Sequence, residues 1–513
     1  MVPDTAAPPH DILTAVRHWA TADPDAVAVR HDGQEWTRRE FADRIGSVAG
    51  ALHGLGVAAG DRVAFVDHNH PACLELALGC AWLGAVFVPI NARLTSTEIG
   101  YIVNDATATV LFTGRVEMPE PDSLPQVRRI IALDSAYEPL LADAPTVAAR
   151  RVAPEDAFLQ LYTSGTTGFP KGAVLTQANV AAVSRAVTQV NGMAQHSVSL
   201  VAMPLFHVGA LSQALLSLYA GATVVVVRDA RPDALLDIME RQRVTHTLLV
   251  PPVLAAMVAL PDARARDLSS FVGLTYGAAP MPVPLIERCR DTFNADLHQM
   301  YGCTETTGAL TMLGAAEHRD LRHPGRLASA GLPLPGVELR IVDPETGKDL
   351  PVGEVGEVWV RAPHVMAGYW RRPEADDEAL AGDGWLRTGD AGYIDDDSYL
   401  YMVDRVKDMI VSGGENIYPA EIERVLTEHP AVADAAVVGI PDTQWGEVGK
   451  AYVVPVSAGL DVDALVAHCR THLAGFKCPK SFELVETLPR NATGKVLRRR
   501  LREPHWRHLE RKV

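Results

Sequence analysis

Eleven consecutive residues, Tyr162-Thr163-Ser164-Gly165-Thr166-Thr167-Gly168-Phe169-Pro170-Lys171-Gly172, gather three glycines, four serine or threonine hydroxyls and one lysine. Glycine lets backbone N–H groups turn toward an anion with no Cβ in the way. Successive N–H groups in such a turn make a concave anion site. The hydroxyls donate further hydrogen bonds and Lys171 adds a point charge, so the natural ligand is a polyphosphate. By residue type alone the stretch also fits a polar linker, but linkers rarely end in Pro-Lys-Gly followed by an apolar run such as Ala173-Val174-Leu175. It is not a Walker A loop, which needs Gly before the lysine and Ser or Thr after it; Pro170 and Gly172 stand there.

Other stretches carry chemistry more weakly. His207 sits in the apolar run Met203 to Gly209, where a core histidine is an equal reading. Gly277-Ala278-Ala279 could let a flat ring lie against the backbone, or be a plain strand-to-helix turn. Met300-Tyr301-Gly302-Cys303-Thr304-Glu305 offers an aromatic face, a hydroxyl and a carboxylate that could hold Mg²⁺, an ion that takes oxygen ligands and few protein carboxylates. Asp390 in Leu386-Arg387-Thr388-Gly389-Asp390 could accept from ribose hydroxyls, as an acidic residue does in dinucleotide folds, or close a turn. The charged cluster Asp404 to Asp408 precedes Gly413-Gly414 and has the character of a hinge, and Lys495 follows a turn ahead of a basic tail.

The scaffold for these residues is legible in the pattern. Helices are expected near residues 11 to 21 and after the capping-box pair Thr37 and Glu40, where Phe41, Ile45, Val48 and Leu52 recur at helical spacing. The segments Arg62 to Val66, Ala72 to Leu83, Ala85 to Val88, Thr97 to Ala106 and Thr109 to Phe112 then alternate between strand and helix, which predicts βαβ units and a largely parallel sheet. Thr223 to Val227 and Thr247 to Val250 read as strands buried on both faces. From Val337 short alternating segments predict an antiparallel sheet or small barrel, and from Ala420 a further α+β pattern begins. The fold class is α/β. A large N-terminal domain of stacked α/β sheets plus a small barrel spans 1–406, and a mobile small α+β domain spans 407–513.

At 513 residues the chain is too long for one core. A net charge of −16 disfavours a nucleic-acid partner, which a basic face would attract. The six cysteines show no metal-ligand spacing, so a reduced, cytoplasmic protein without structural zinc is expected. No signal peptide is evident at the N-terminus, and the longest apolar run, Leu76 to Ile90, is too short for a membrane span.

In these stretches, their order and their spacing, the chain resembles the adenylate-forming superfamily of acyl-CoA synthetases, carrier-protein adenylation domains and beetle luciferases. It is most similar to bacterial fatty-acyl- or aryl-CoA ligases. The resemblance spans essentially the whole chain and implies roles position by position. Thr163, Ser164, Gly165, Thr166, Thr167, Gly168 and Lys171 would hold the ATP phosphates. Gly277, Ala278, Ala279, Gln299, Tyr301 and Gly302 would surround the adenine side of ATP. Thr304 would touch the α-phosphate, Glu305 would hold Mg²⁺, and Asp390 and Arg405 would bind ribose. Lys407 would be the hinge, Lys495 the catalytic lysine of the first half-reaction, and His207 the group that orients the acyl carboxylate. Gly413, Gly414 and Trp445 would line the path of coenzyme A, with Lys477, Lys480 and Arg498 to Arg500 available to its phosphates; a solvated tail fits the last three equally well.

The implied reaction joins a carboxylic acid to ATP as acyl-AMP with loss of pyrophosphate, then passes the acyl group to CoA. Two rivals remain: transfer to an acyl carrier protein, and a nucleotide-binding sensor without turnover. For the acid, His207, Val208, Val250, Pro252, Tyr276, Met300 and Gly308 form a mostly apolar candidate pocket with no arginine among them. That predicts an apolar fatty or aryl monocarboxylate and disfavours a second carboxylate, as in malonate. A homodimer is the default oligomeric expectation.

Overall fold

The computed structural model describes residues 10–163, 169–228, 231–279, 281–320, 322–412, 415–457, 459–490 and 496–506, with the backbone alone at 407, 415 and 416. Two compact units account for them: one runs to Glu338 and resumes over Val360–Leu386, the other joins Leu339–Trp359 to the chain from Arg387 onward.

The first unit holds two sheets. In one, the strands Arg62–Asp67, Val86–Asn91, Ala108–Thr113, Arg129–Ala132 and Ala157–Thr163 run parallel, with antiparallel Lys171–Thr176 and two-residue Gly368–Tyr369 at one edge. In the other, Val27–His31, Val198–Val201, Thr223–Val226, His246–Leu249, Gly273–Gly277 and Asp296–Tyr301 are parallel and short antiparallel strands flank them. The expected alternation is borne out. The helix Ala72–Leu83 is apolar on nearly every face because it is buried on nearly every face. It ends at Gly84, whose φ of 72° is the left-handed conformation that glycine adopts without penalty. Thr37 and Glu40 do form a reciprocal capping box on the helix Arg38–Gly54.

One buried side chain ties the two sheets together. Asn69, only 5 % exposed, follows the strand Arg62–Asp67. Its Nδ2 donates to the Met203 and Val227 carbonyls, each at 2.9 Å, and its Oδ1 accepts from the Leu205 N–H at 2.8 Å. The amide thereby satisfies three backbone groups that burial would otherwise leave unpaired.

The second unit opens with antiparallel strands Glu338–Val342, Gly356–Arg361, Trp385–Ile394 and Leu400–Arg405. A second antiparallel sheet comes after it, dominated by the hairpin Val432–Asp442 and Gly446–Pro455 and covered by the helices Pro419–Glu428 and Val462–His472. The compact units part elsewhere than at the expected 406/407 step. The physical reason is local: Asp404 Oδ2 caps the Ala420 N–H at 2.7 Å and Arg498 reaches Asp408 at 3.3 Å, so the 400–408 segment is bonded to the C-terminal part of the chain.

Among the described residues no helix is long and apolar enough to cross a membrane. No disulfide joins any of the six cysteines, all of which are among the described residues.

Candidate active site

The glycine- and hydroxyl-rich stretch is the connection of an antiparallel hairpin. Thr163 pairs with Lys171 across it, and Tyr162 with Gly172. Ser164, Gly165, Thr166, Thr167 and Gly168 lie outside the described residues, but both ends of their span are fixed. At the far end Phe169 stacks on Tyr101 with ring centroids 4.9 Å apart, and the Tyr101 hydroxyl donates to the Pro170 carbonyl. A Cβ on Gly172 would sit 2.8 Å from Gln160 Nε2, so a larger residue there would have to displace the Gln160 side chain.

The other edge of this hairpin is covered by a segment from far along the chain. Gly368 pairs with Val174 and Tyr369 with Ala173, and the Trp370 N–H donates to the Gly172 carbonyl at 2.7 Å. The same segment reaches Glu305: the Met366 N–H donates to the Glu305 carbonyl at 2.8 Å, and the Tyr369 hydroxyl donates to Glu305 Oε1 at 2.7 Å. The Lys171 ammonium lies 5.3 Å from the Tyr369 ring centroid, within cation–π range. Burial, and next the Glu305 charge, push the Tyr369 phenol far above its ordinary pKa, so it stays a donor. One cation near the ring and one carboxylate at the hydroxyl are thus brought to the same neutral phenol. Glu305 itself stands in the single-turn 3₁₀ helix Thr304–Thr306, with Thr307 (φ 55°) and Gly308 (φ 104°) turning the chain back after it.

The adenine candidates converge at strand ends. The strands Gly273–Gly277 and Asp296–Tyr301 pair in register, Tyr276 with Gln299 and Gly277 with Met300. A Cβ on Gly277 would fall 2.3 Å from the Met300 carbonyl oxygen, an approach only glycine permits. Beyond it Ala278 has φ 64° and is exposed together with Ala279, leaving a small, flat, open surface. Gly302 makes a similar close approach, since its Cβ would lie 2.7 Å from the Gly308 carbonyl oxygen.

His207 occupies the residue position just before the helix Val208–Tyr219 without capping it through its side chain, and its Nε2 is buried without a partner. Burial, reinforced by the Arg93 charge, lowers its pKa to about 4, so the ring is neutral at physiological pH. Asn69 holds the backbone two residues before it. Two acyl-pocket candidates do meet: a Cβ on Gly308 would touch Val208 Cγ2 at 3.4 Å, and Ser212 Oγ donates to the neighbouring Thr307 carbonyl. Val250 and Met300 are half-buried, and Pro252 is exposed in the first turn of the helix Pro251–Val258.

Two features of this pocket go beyond the sequence reading. The hydroxyl of the lining candidate Tyr276 is already engaged within the fold. It is fully buried and bonds His318 Nε2 at 2.8 Å, while His318 Nδ1 donates to the Gly314 carbonyl and so fixes the tautomer. And the charge of Arg93 reaches His207, where it adds to burial in lowering the ring's pKa. Sequence reading misses it because residues 93 and 207 are brought together only by the packing of the two sheets.

In the second unit Asp390 and Arg405 face each other across paired strands, Arg405 Nε 2.6 Å from Asp390 Oδ1. Asp390 is 6 % exposed and Arg405 is partly open to solvent, an arrangement that presents two hydrogen-bonding side chains at one edge. The Lys407 backbone lies in the 3₁₀ turn Val406–Asp408; its side chain, Gly413, Gly414 and Lys495 lie outside the described residues. Trp445 is 45 % exposed between the strands of the long hairpin, and Lys480 is exposed. Lys477 is shared with Glu421, both of whose carboxylate oxygens it contacts within 2.9 Å. Arg498 is neither a free cation nor a solvated tail: it is ion-paired with Glu423 and Asp408.

The family model described as AMP-binding enzyme matches residues 16–370, and its C-terminal domain matches residues 421–495. The chain belongs to the AMP-binding enzyme family. Its class is therefore that of ATP-dependent, AMP-forming acid–thiol ligases. A feruloyl-CoA synthase of an Amycolatopsis species is 41% identical over 94% of this chain and 96% of that protein. The fatty acid–[acyl-carrier-protein] ligase ScoC of Streptomyces coeruleorubidus is 36% identical over 96% of each. Among solved structures, o-succinylbenzoate CoA synthetase (MenE) from Bacillus subtilis in complex with the acyl-adenylate intermediate OSB-AMP superposes with a TM-score of 0.86 at 32% identity, covering 95% of this chain and 97% of that one.

Proposed function

We propose that this ligase activates an apolar monocarboxylic acid, aryl or fatty, and passes it to CoA. The observation that carries the reading is the Lys171–Tyr369–Glu305 stack beside the fixed ends of the phosphate loop. A polyphosphate with a divalent metal needs a cation and a carboxylate within one site, and here both contact the same phenol.

The residues fit Mg²⁺. Among the described residues no cluster of three or more His, Cys, Asp or Glu side chains could cage a metal. Glu305 alone beside a phosphate loop is the donor set of a metal held mainly by substrate oxygens. Bound there, Mg²⁺ would supply charge neutralisation on the phosphates. Lys171 and the loop N–H groups would hold the departing pyrophosphate. Asp390 and Arg405 would take the ribose hydroxyls, and Gly277 to Ala279 with Tyr301 the adenine.

The acid's carboxylate then attacks the α-phosphate, forming acyl-AMP. Two anions meet in that step, so positive charge must already be in place where charge develops. Lys495 is assigned this role from its place in the sequence. His207, neutral at the start of a helix, would meet the acyl carboxylate with a hydrogen bond and the positive end of the helix dipole. In the second step the thiol attacks the acyl carbon and AMP leaves. Lys407 is the proposed pivot between the two steps, and Gly413, Gly414, Trp445 and Lys480 the proposed CoA face.

An acid panel read by pyrophosphate release tests the substrate, with aryl-propenoic, benzoic and fatty acids expected to turn over. Strong release on malonate with none on those acids would reject the apolar pocket. The ScoC relative favours a second acceptor, a carrier-protein phosphopantetheine. Assaying CoA and carrier with the same acid decides between them. Lys495→Ala should abolish acyl-AMP formation yet spare thioester formation from preformed acyl-AMP.

A further inference from the structure

The segment Met366 to Trp370 is bonded on both sides to charged parts of the candidate site, although its sequence carries no ionisable side chain other than Tyr369. Its backbone joins the Glu305 loop through Met366 and the Lys171 strand through Trp370. Its conformation is specified with unusual strictness for so short a strand. Gly368 has φ 145°, and a Cβ there would lie 2.9 Å from Asp376 Oδ2. Asp376 Oδ1 in turn accepts from the Tyr369 N–H at 2.6 Å. An aspartate on the backbone, a glycine that lets it approach, and two flanking main-chain bonds together fix where the Tyr369 phenol stands.

We infer that Tyr369 is a positioning residue for the metal–polyphosphate site, holding one Glu305 carboxylate oxygen through its hydroxyl while its ring face carries Lys171. The inference rests on the assignment of Glu305 above. A carboxylate that binds a metal has two oxygens and rotates freely unless one is engaged. A donor 2.7 Å from Oε1 selects the orientation and leaves Oε2 for the metal. Such outer partners of metal ligands typically contribute tenfold or more to affinity. The ring face also carries the Lys171 ammonium, whose carboxylate neighbour is Glu378 at 4.0 Å rather than Glu305.

The test is a titration of Mn²⁺ into the full-length protein with a non-hydrolysable ATP analogue, reading free Mn²⁺ by electron paramagnetic resonance. Tyr369→Phe keeps the ring and its cation contact and removes only the hydroxyl. It should weaken Mn²⁺ binding roughly 10-fold to 100-fold, shift the Mg²⁺ dependence of pyrophosphate release upward in parallel, and recover most of kcat at saturating Mg²⁺. Asp376→Ala, which frees the Tyr369 backbone, should shift the same constant in the same direction. A merely structural tyrosine would instead lower the melting temperature and kcat at every metal concentration. Unchanged Mn²⁺ affinity in both variants, with Glu305→Gln weakened, overturns the role of Tyr369 alone. Unchanged affinity in Glu305→Gln overturns the metal assignment beneath it.

Discussion

Asn69 makes three buried hydrogen bonds that no other residue replaces, which permits a quantitative expectation. Asn69→Ala leaves the Met203 and Val227 carbonyls and the Leu205 N–H without partners. Each buried, unsatisfied group costs roughly 1–3 kcal/mol. Water entering the vacated space offsets part of that, so a net loss of about 3 kcal/mol is expected. For a large domain this is on the order of 6 °C in Tm. Function should change selectively. The Leu205 N–H fixes the backbone that presents His207, so KM for the acid should rise several-fold while KM for ATP stays within about twofold. Differential scanning calorimetry and pyrophosphate release, with acid and ATP varied in turn, measure both. Asn69→Asp retains the acceptor for Leu205 but sets an oxygen against two carbonyls, and should be at least as destabilising as alanine. A loss below about 1 kcal/mol, or an equal rise in both KM values, refutes the claim that this amide positions the acyl site.

Other expectations rest on charge and space. His70, His207, His318 and His364 each have pKa lowered to about 4, chiefly by burial. The unfolded chain then binds more protons between about pH 6.5 and 4, so stability is full above that window and falls as pH drops through it. Each group contributes up to about 1.4 kcal/mol per pH unit, and calorimetry across this range should show proton uptake on unfolding that drops by about one in His364→Gln. Arg498→Ala removes the cation shared by Glu423 and Asp408, close to Asp404, whose pKa, like that of Glu423, burial already raises. It should cost about 3–5 kcal/mol at pH 7. Acidification should narrow the gap to the parent protein, since carboxylates with raised folded-state pKa favour the fold as they protonate; a difference in melting temperature that widens on acidification would contradict this. Gly277→Ala drives a Cβ to 2.3 Å from the Met300 oxygen and must spread two paired strands. It should raise KM for ATP at least tenfold, measured by initial rates, with little change in KM for the acid.

Much of the fold is legible where one local signal dominates. The helix Ala72–Leu83 is readable to the residue because an apolar run has only one way to be buried and a glycine stops it. The capping box at Thr37 and Glu40 needs no tertiary context. The phosphate loop announces itself by composition, and Glu305 and Asp390 by their place within recurring stretches. The features that escape a reading of sequence depend on long-range pairing. Gly368–Tyr369 is two residues long and has no strand pattern of its own; it is a strand only because Val174 and Ala173 are there to pair with it. Tyr276 has the look of pocket lining until His318 takes its hydroxyl, and Arg498 that of a tail until Glu423 and Asp408 enclose it. Arg93 carries no signal that it acts near His207. In each case the residue type is plain and its partner, tens to hundreds of residues away, is not.

The late closure of the hairpin edge has a consequence for biosynthesis. Tyr369 pairs with Ala173 across about 200 residues of chain, which a ribosome adds in roughly 10–40 s. Throughout that interval the strand carrying Lys171 has an open flank with unsatisfied amides, a template for pairing with a stranger. A nascent chain stalled before Gly368 would therefore expose a sticky border beside an unfinished catalytic pocket, and holdase chaperones should favour such intermediates over chains extended past Trp370.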